Sequence, residues 1–464
     1  MDHPIHVGAR LDNVPLGRFH YRMLGLIGAG MFFDSFDVYM AGAILAALLH
    51  SGESTLSQNA SFVSATFLGM MVGAWLAGVL GDRFGRRFTY QLNLAVYGLA
   101  SIAAAFAPTI QWLIVLRLVM GLGLGAELVV GYGALSEFIP AQFRGRFGAT
   151  LNFINNIALV FSTFLGWLII PYFGWRCLFA IAGVGAMIIW ILRKSMPESP
   201  RWLAAKGRTA EAEATLREIE GDAQGGTQAE GLSSRVSQGV APDPTPVPLR
   251  ELFSSRMLGR TVTGIVVLVV FLGTYYAFVS WMPTFLLKQG HSFSNSLVLT
   301  TLMFTGAPVG SLIAYALADR IGRKWGIVLF SLLAILFWVV YPFAQTRPLI
   351  VALGFAITCC ICVLSSLSMG SYIPELFPTS LRLRGSGLCN TFGRGFNIFM
   401  PYIVTSSFVS FGIVGVIALI CAMLMLQALV VATIGVETRS RSLEDIGESA
   451  KDVSAAASLA ESTR

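Results

Sequence analysis

A small set of ionisable residues stands inside otherwise apolar runs: Asp34, Asp37, Arg117, Glu127 and Arg394. Such groups are costly in a nonpolar setting and mark proton or ligand paths. Asp34 and Asp37 are three apart and share one helix face. Like charges so close do not both ionise cheaply, so one holds a proton or finds a second partner. Glu127 follows Arg117 by ten residues, about 15 Å along a helix, so it serves a different contact, in the wall of a cavity or in a gating network. Arg394 has Asn390 and Asn397 on its own face. It lies about 13 Å into its run. An unpaired buried guanidinium invites an anion, and its fork fits a carboxylate. The alternative is a structural pair with Asp34, Asp37 or backbone carbonyls. Asn152 and Asn156, beside Asn155, face one way and can hydrogen-bond a polar ligand or a neighbouring helix. Tyr275 and Tyr276 can stack on a ring, while Trp281, just before Pro283, reads as an interfacial residue.

No catalytic constellation accompanies these residues. His3, His6, His20, His50 and His291 are terminal, in loops or at run ends. The six cysteines lack disulfide or zinc spacing and read as small buried hydrophobes. Gly121-x-Gly123-x-Gly125 lacks a preceding strand, so it reads as close helix packing rather than a dinucleotide loop. An enzyme, a metal and a cofactor are therefore not expected.

The elements that position these residues follow from composition. Of 464 residues, 55% are hydrophobic and 12% charged, too apolar for a dispersed soluble protein. Twelve runs reach the roughly 20 residues that cross a bilayer. They are 22–48, 60–81, 88–107, 112–136, 146–170, 175–193, 258–287, 297–319, 325–343, 348–372, 385–408 and 412–434. With the N-terminus inside, only Arg176, Lys288 and Arg347 of the 32 Lys and Arg fall outside, and Arg117 and Arg394 lie within runs. That bias sets the orientation, puts both termini in the cytoplasm, and explains the net charge of +7 without nucleic acid. The expected fold is all-α integral membrane, with twelve transmembrane helices in two pseudo-symmetric six-helix halves. The expected segments are a cytoplasmic N-terminal segment (1–21), one half (22–193), a cytoplasmic linker (194–257), the other half (258–434) and a cytoplasmic tail (435–464). The linker contains a helical stretch near 208–220, followed by Gly/Gln/Ser-rich and Pro-rich pieces too polar to bury a core. The first span serves as the insertion signal.

Repeats support the two halves. Gly69, Gly73, Ala77 and Gly81 recur, at constant offset, as Gly306, Gly310, Ala314 and Ala318. Spacing of four puts them on one face, where helices approach closely. Each run ends in a charged turn, Asp82-Arg83-Phe84-Gly85-Arg86 and Asp319-Arg320-Ile321-Gly322-Arg323. A second echo precedes spans 5 and 11, Ile139-Pro140-Ala141-Gln142-Phe143-Arg144-Gly145 and Phe377-Pro378-Thr379 through Arg384-Gly385, with Glu137 and Glu375 upstream.

The paired charged turns resemble the signature of the major facilitator superfamily. Arg117-x3-Gly121-x-Gly123-x-Gly125-Ala126-Glu127, Pro197-Glu198-Ser199-Pro200-Arg201-Trp202, Pro374-Glu375-Leu376-Phe377-Pro378-Thr379 and Glu437-Thr438-Arg439-Ser440 resemble motifs of its sugar-porter-like branch. Two features depart from sugar porters. The paired glutamines of span 7 are missing, and the segment reads Phe271-Leu272-Gly273-Thr274-Tyr275-Tyr276. Span 1 carries Asp34-Ser35-Phe36-Asp37, similar to the D-G-x-D of aromatic-acid/proton symporters. The resemblance implies proton-coupled uptake of a small organic acid, an aromatic or heterocyclic carboxylate, by alternating access in a bacterial inner membrane. It places Asp37 against Arg117 as a proton switch, with Asp34 and Glu127 as further coupling candidates. Arg394, Asn390, Asn397, Tyr275, Tyr276, Asn152 and Asn156 are the substrate-binding candidates. Asp82, Arg83, Arg86, Asp319, Arg320 and Arg323 are the gating candidates. Substrate, protons and lipid are the expected partners of a monomer. A sugar, polyol or cationic substrate, export of an acid, and a non-transporting receptor remain the other readings.

Overall fold

Apolar runs in lipid become helices because a helix satisfies its own backbone polar groups. The computed structural model describes residues 7–140, 143–223, 249–377 and 381–438, and every regular element among them is helical. The chain divides into two units, Met1–Val240 and Ala241–Arg464.

In the first unit, α1 (Val7–Asn13) precedes α2 (Arg18–His50), α3 (Leu56–Phe84), α4 (Arg86–Ala105), α5 (Ile110–Phe138), α6 (Arg144–Phe173) and α7 (Arg176–Leu192). Two short helices follow, α8 (Pro200–Ala205) and α9 (Thr209–Ala223). Helix α3 packs on α5, α4 on α5 and α7, and α2 on α6. The repeated small residues make the α3–α5 contact possible. A Cβ on Gly73 would lie 2.0 Å from the Leu122 carbonyl oxygen, and one on Gly125 would lie 2.0 Å from that of Met70. Gly85, at φ 98°, ends α3 and turns the chain into α4, a conformation that a side chain would strain.

The second unit contains α10 (Ser255–Lys288), α11 (Phe293–Phe304), α12 (Gly306–Ile321), α13 (Arg323–Val340), α14 (Arg347–Leu367), α15 (Ile373–Leu376) and α16 (Arg382–Thr433). Helix α12 packs on α14, α10 on α16, and α13 on α14 and α16, the pattern of the first unit. Gly306 and Gly310 meet the Phe355 and Cys359 carbonyl oxygens at 2.5 Å from their would-be Cβ positions. Gly322, at φ 87°, repeats the turn at Gly85. A single wider turn, Ser368–Tyr372, interrupts the passage from α14 to α15.

Among the described residues, ten segments are long and apolar enough to cross a membrane. Twelve were expected from the sequence. The eleventh and twelfth runs both fall in α16, which breaks its helical dihedrals at Gly412 (φ 63°). The third run falls in α4, whose first turns carry Arg86, Arg87, Gln91 and Asn93, and which is not among the ten.

The ends of the first unit differ from a flexible-segment reading. Ala212, Leu216 and Ile219 of α9 are buried, because spacings of four and three give that polar helix one apolar face. Val7, Leu11 and Val14 are buried in the same cluster as Leu216, Ile219 and Phe138. Arg10 donates to Glu213 and Glu220 at 2.7–2.9 Å, and Asp12 accepts from Arg144 (2.8 Å) and Arg201 (3.0 Å). The Phe19 amide donates to Asp222. Arg10 holds the Glu213 carboxyl below the usual carboxylate range by hydrogen bonding. Residues 224–248, in the Pro-rich part of the linker, and the tail beyond 438 lie outside the described residues.

Candidate functional site: buried charge along the first span and in the eleventh run

Helix α2 carries the coupling candidates. Asp34 and Asp37 are buried on it, and Ser35 between them donates to Asn155 Oδ1 of α6 at 3.1 Å. Arg117 reaches across from α5. Its Nη1 is ion-paired with Asp37 Oδ2, and its Nη2 donates to the Asp37 carbonyl at 2.9 Å. The guanidinium also lies over the Phe62 ring, 4.7 Å from its centroid, and 5.8 Å from that of Phe179. Both partners are fully buried, so each charge depends on the other. Asp37 Oδ1 has no hydrogen-bond partner among the described residues.

Glu127 has a partner that the sequence did not reveal. Arg193, just past the end of α7, is ion-paired with Glu127 at 2.6 Å, and both are buried. Arg193 also donates to the Leu26 and Ile27 carbonyls of α2 at 3.0 Å and lies over the Tyr90 ring at 4.9 Å. Gly30 makes room for it: a Cβ there would sit 1.9 Å from Arg193 Nη2 and 3.0 Å from Glu127 Oε1. In sequence, Arg193 is one of several basic residues at a run end, which is the ordinary signature of orientation. Asp34 lies one turn beyond Gly30. Among the described residues its buried Oδ2 has no hydrogen-bond partner, and its electrostatic neighbours are Glu127, Arg193 and Asp37.

In the second unit, Arg394 lies on α16, half-buried, with Nη1 fully buried and without a hydrogen-bond partner among the described residues. Tyr276 of α10 is its electrostatic neighbour. Asn397 is buried and donates to the Gly393 carbonyl at 3.2 Å, which leaves its buried Oδ1 without a partner. Asn390 likewise donates within its helix, to Ser386 at 3.0 Å. Tyr275 is buried, edge-on to Tyr276 at 5.2 Å. Trp281 is also buried, parallel to Phe285 at 6.2 Å, so it is a packing residue of α10 and not an interfacial one. Of the α6 amides, Asn156 is buried and Asn152 half-buried.

The charged turns are braced in the same way in both units. Glu198 accepts from the Arg86 amide at 2.9 Å and the Arg87 amide at 3.2 Å, and fills the space beside Gly85. Glu437 accepts from the Arg323 amide at 3.0 Å beside Gly322. A carboxylate at the start of each following helix satisfies free N–H groups and favours the dipole. Arg86 pairs with Asp82 and Glu137 at 3.0 Å, and Arg323 with Glu375 at 3.4 Å. Glu375 also accepts from Thr438. Arg83 is exposed over Phe84, and Arg320 is exposed. The Asp319 side chain lies outside the described residues.

Residues 26–450 match the family described as "Sugar (and other) transporter". The chain is 38% identical to an inner membrane metabolite transport protein, YdjE, of Escherichia coli (strain K12), over 95% of this chain and 98% of that one. It is 32% identical to the niacin transporter NiaP of Acinetobacter baylyi, over 95% and 99%. Among solved structures, it is similar to the partially occluded inward-open xylose transporter XylE from E. coli. That likeness has a TM-score of 0.71 at 16% identity and covers 91% of this chain and 99% of that one.

Proposed function

The chain belongs to the sugar (and other) transporter family, within the major facilitator superfamily, and from that premise we infer that it takes up a small organic acid together with a proton. It is a multi-pass membrane transporter of metabolites. The acid is an aromatic or heterocyclic carboxylate, and uptake proceeds by alternating access across a bacterial-type inner membrane with both termini in the cytoplasm.

The observation that carries the substrate class is Arg394. Its Nη1 is a buried guanidinium nitrogen with no acceptor among the described residues, one helical turn from the Asn397 Oδ1, which likewise has no partner among them. A carboxylate would satisfy the first and a ring hydroxyl or N–H the second, while Tyr276 offers an aromatic face. A neutral sugar would leave that guanidinium without an anion. The niacin transporter among the relatives supports a heterocyclic acid.

Proton coupling is assigned to Asp37 and Arg117. While paired, Asp37 stays ionised. When the cycle parts the two, a buried lone carboxylate takes up a proton. The braced turns at Gly85 and Gly322 hold one end of each unit shut during the outward-facing part of the cycle. The test is Asp37→Asn in proteoliposomes, which should abolish uphill accumulation yet retain exchange. Accumulation with unchanged proton dependence would reject the assignment.

A further inference from the structure

The Glu127–Arg193 pair has no role in the Asp37–Arg117 switch, yet it is built into the same helix. Arg193 is fastened to the α2 backbone at Leu26 and Ile27, and its guanidinium fills the gap beside Gly30. Asp34 follows Gly30 by four residues, about 6 Å along the same face. One guanidinium thus stands within a helical turn of two buried carboxylates. It has taken one of them, Glu127, and the Oδ2 of the other has no donor among the described residues.

We propose that Asp34, Glu127 and Arg193 form a proton relay in which one guanidinium serves two carboxylates in turn. In the state seen here, Asp34 carries the proton and Glu127 is the anion paired to Arg193. In the other state, the proton has passed from Asp34 to Glu127, and Arg193 has swung to the Asp34 carboxylate. The three groups keep the same total charge in both states, so no net charge is created in the nonpolar interior. Arg193 is a positioning residue, since it holds no proton itself. The relay rests on the proton-coupled reading above and extends it from one ion pair to two.

The ionisable groups acting on Asp34 are Asp37 on α2, Glu127 from α5, Arg193 after α7 and Tyr97 from α4, with Tyr90 of α4 against Arg193. Tyr97 donates to the Phe33 carbonyl at 3.0 Å and Tyr90 to the Val130 carbonyl at 2.6 Å. From α6, Asn155 accepts from Ser35, the residue after Asp34. Arg117 is committed to Asp37, which leaves Arg193 as the cation acting on Asp34 among the described residues.

The test reads Asp34 directly. In purified full-length protein, the infrared carbonyl band of a protonated carboxyl that Asp34→Asn removes is followed against pH. Glu127→Gln leaves Arg193 to Asp34 alone, so the proton is lost more readily and the midpoint moves to lower pH by about one unit or more. Arg193→Gln removes the cation, and the midpoint moves to higher pH by a similar amount. Gly30→Ala alters no charge but displaces the guanidinium, and it should move the midpoint in the same direction as Arg193→Gln. Opposite shifts for Glu127→Gln and Arg193→Gln are expected. The relay also requires a second protonated-carboxyl band, removed by Glu127→Gln, that grows as the Asp34 band is lost. A static pair keeps Glu127 ionised and shows none, a result that would equally overturn the relay. Midpoints that stay put or move together, or the absence of any band sensitive to Asp34→Asn, would overturn the relay. Gly30→Ala carries the test if Arg193→Gln does not fold. Uptake by wild-type proteoliposomes judges the symport reading separately, whatever the infrared midpoints show.

Discussion

Replacing Arg394 separates a ligand-binding guanidinium from a structural one, because the two roles predict opposite effects on stability. Its Nη1 is buried without an acceptor, so the ligand-free protein carries an uncompensated donor there. A bound carboxylate would accept two charge-assisted hydrogen bonds, each about 1.5–3 kcal/mol. Arg394→Gln should therefore weaken binding of the acid by about 3–5 kcal/mol, roughly a hundred- to several-thousand-fold in Kd. Arg394→Lys keeps the charge but loses the fork and should cost roughly tenfold, about 1.4 kcal/mol. Thermal stability of the ligand-free protein should not fall in Arg394→Gln, since a buried donor without an acceptor among the described residues is being removed. Arg117→Gln makes the contrast, because it strands Asp37 and should cost about 3–5 kcal/mol of stability. Binding is measured by equilibrium titration of purified protein, and stability by the melting of the same samples. Unchanged affinity in Arg394→Gln, together with a lower melting temperature, would refute the ligand role.

Asp37→Asn should keep counterflow exchange while losing accumulation driven by a proton gradient, both read in proteoliposomes. Gly73→Ala puts a methyl 2.0 Å from a backbone oxygen of α5 and should cost about 1–3 kcal/mol or more, whereas Gly78→Ala on the same helix meets nothing within 4 Å and should be neutral to stabilising. Melting temperatures of the two variants check the contrast. Arg10→Ala removes the shared partner of Glu213 and Glu220 and should raise hydrogen exchange in residues 7–13 by roughly tenfold, with little change in the α2–α6 contact. Acid should loosen the α1–α9 contact. The Glu213 carboxyl is held down in the folded chain, so its contribution is complete above its unfolded value of 4.5 and fades as pH falls through the lower folded one.

The helical, repeated architecture was legible because small residues every fourth position, followed by a charged turn, are a local pattern that appears twice. The same pattern became the α3–α5 and α12–α14 contacts. Asp37 against Arg117 was legible only through family resemblance, because nothing local joins residues so far apart. Arg193 was not legible at all. A basic residue at a run end is what any span shows, and its pairing with Glu127 depends on α7 returning beside α4 and α2 and on the space left by Gly30. Helix α1 was hidden for a related reason. Its buried apolar residues Val7 and Leu11, with Val14 just after it, look unremarkable until α9 supplies the other half of a shared face. Trp281 shows the converse error. Proximity to Pro283 and a run end suggested the interface, but its face of α10 points into packing against Phe285.

The most direct test of the central claim is uptake of labelled 4-hydroxybenzoate, nicotinate and glucose, side by side, into proteoliposomes with an inward proton gradient. Concentrative uptake of at least one acid, abolished by a protonophore, with no accumulation of glucose, is the predicted result. Accumulation of glucose alone would contradict the organic-acid reading and leave Arg394 a structural residue.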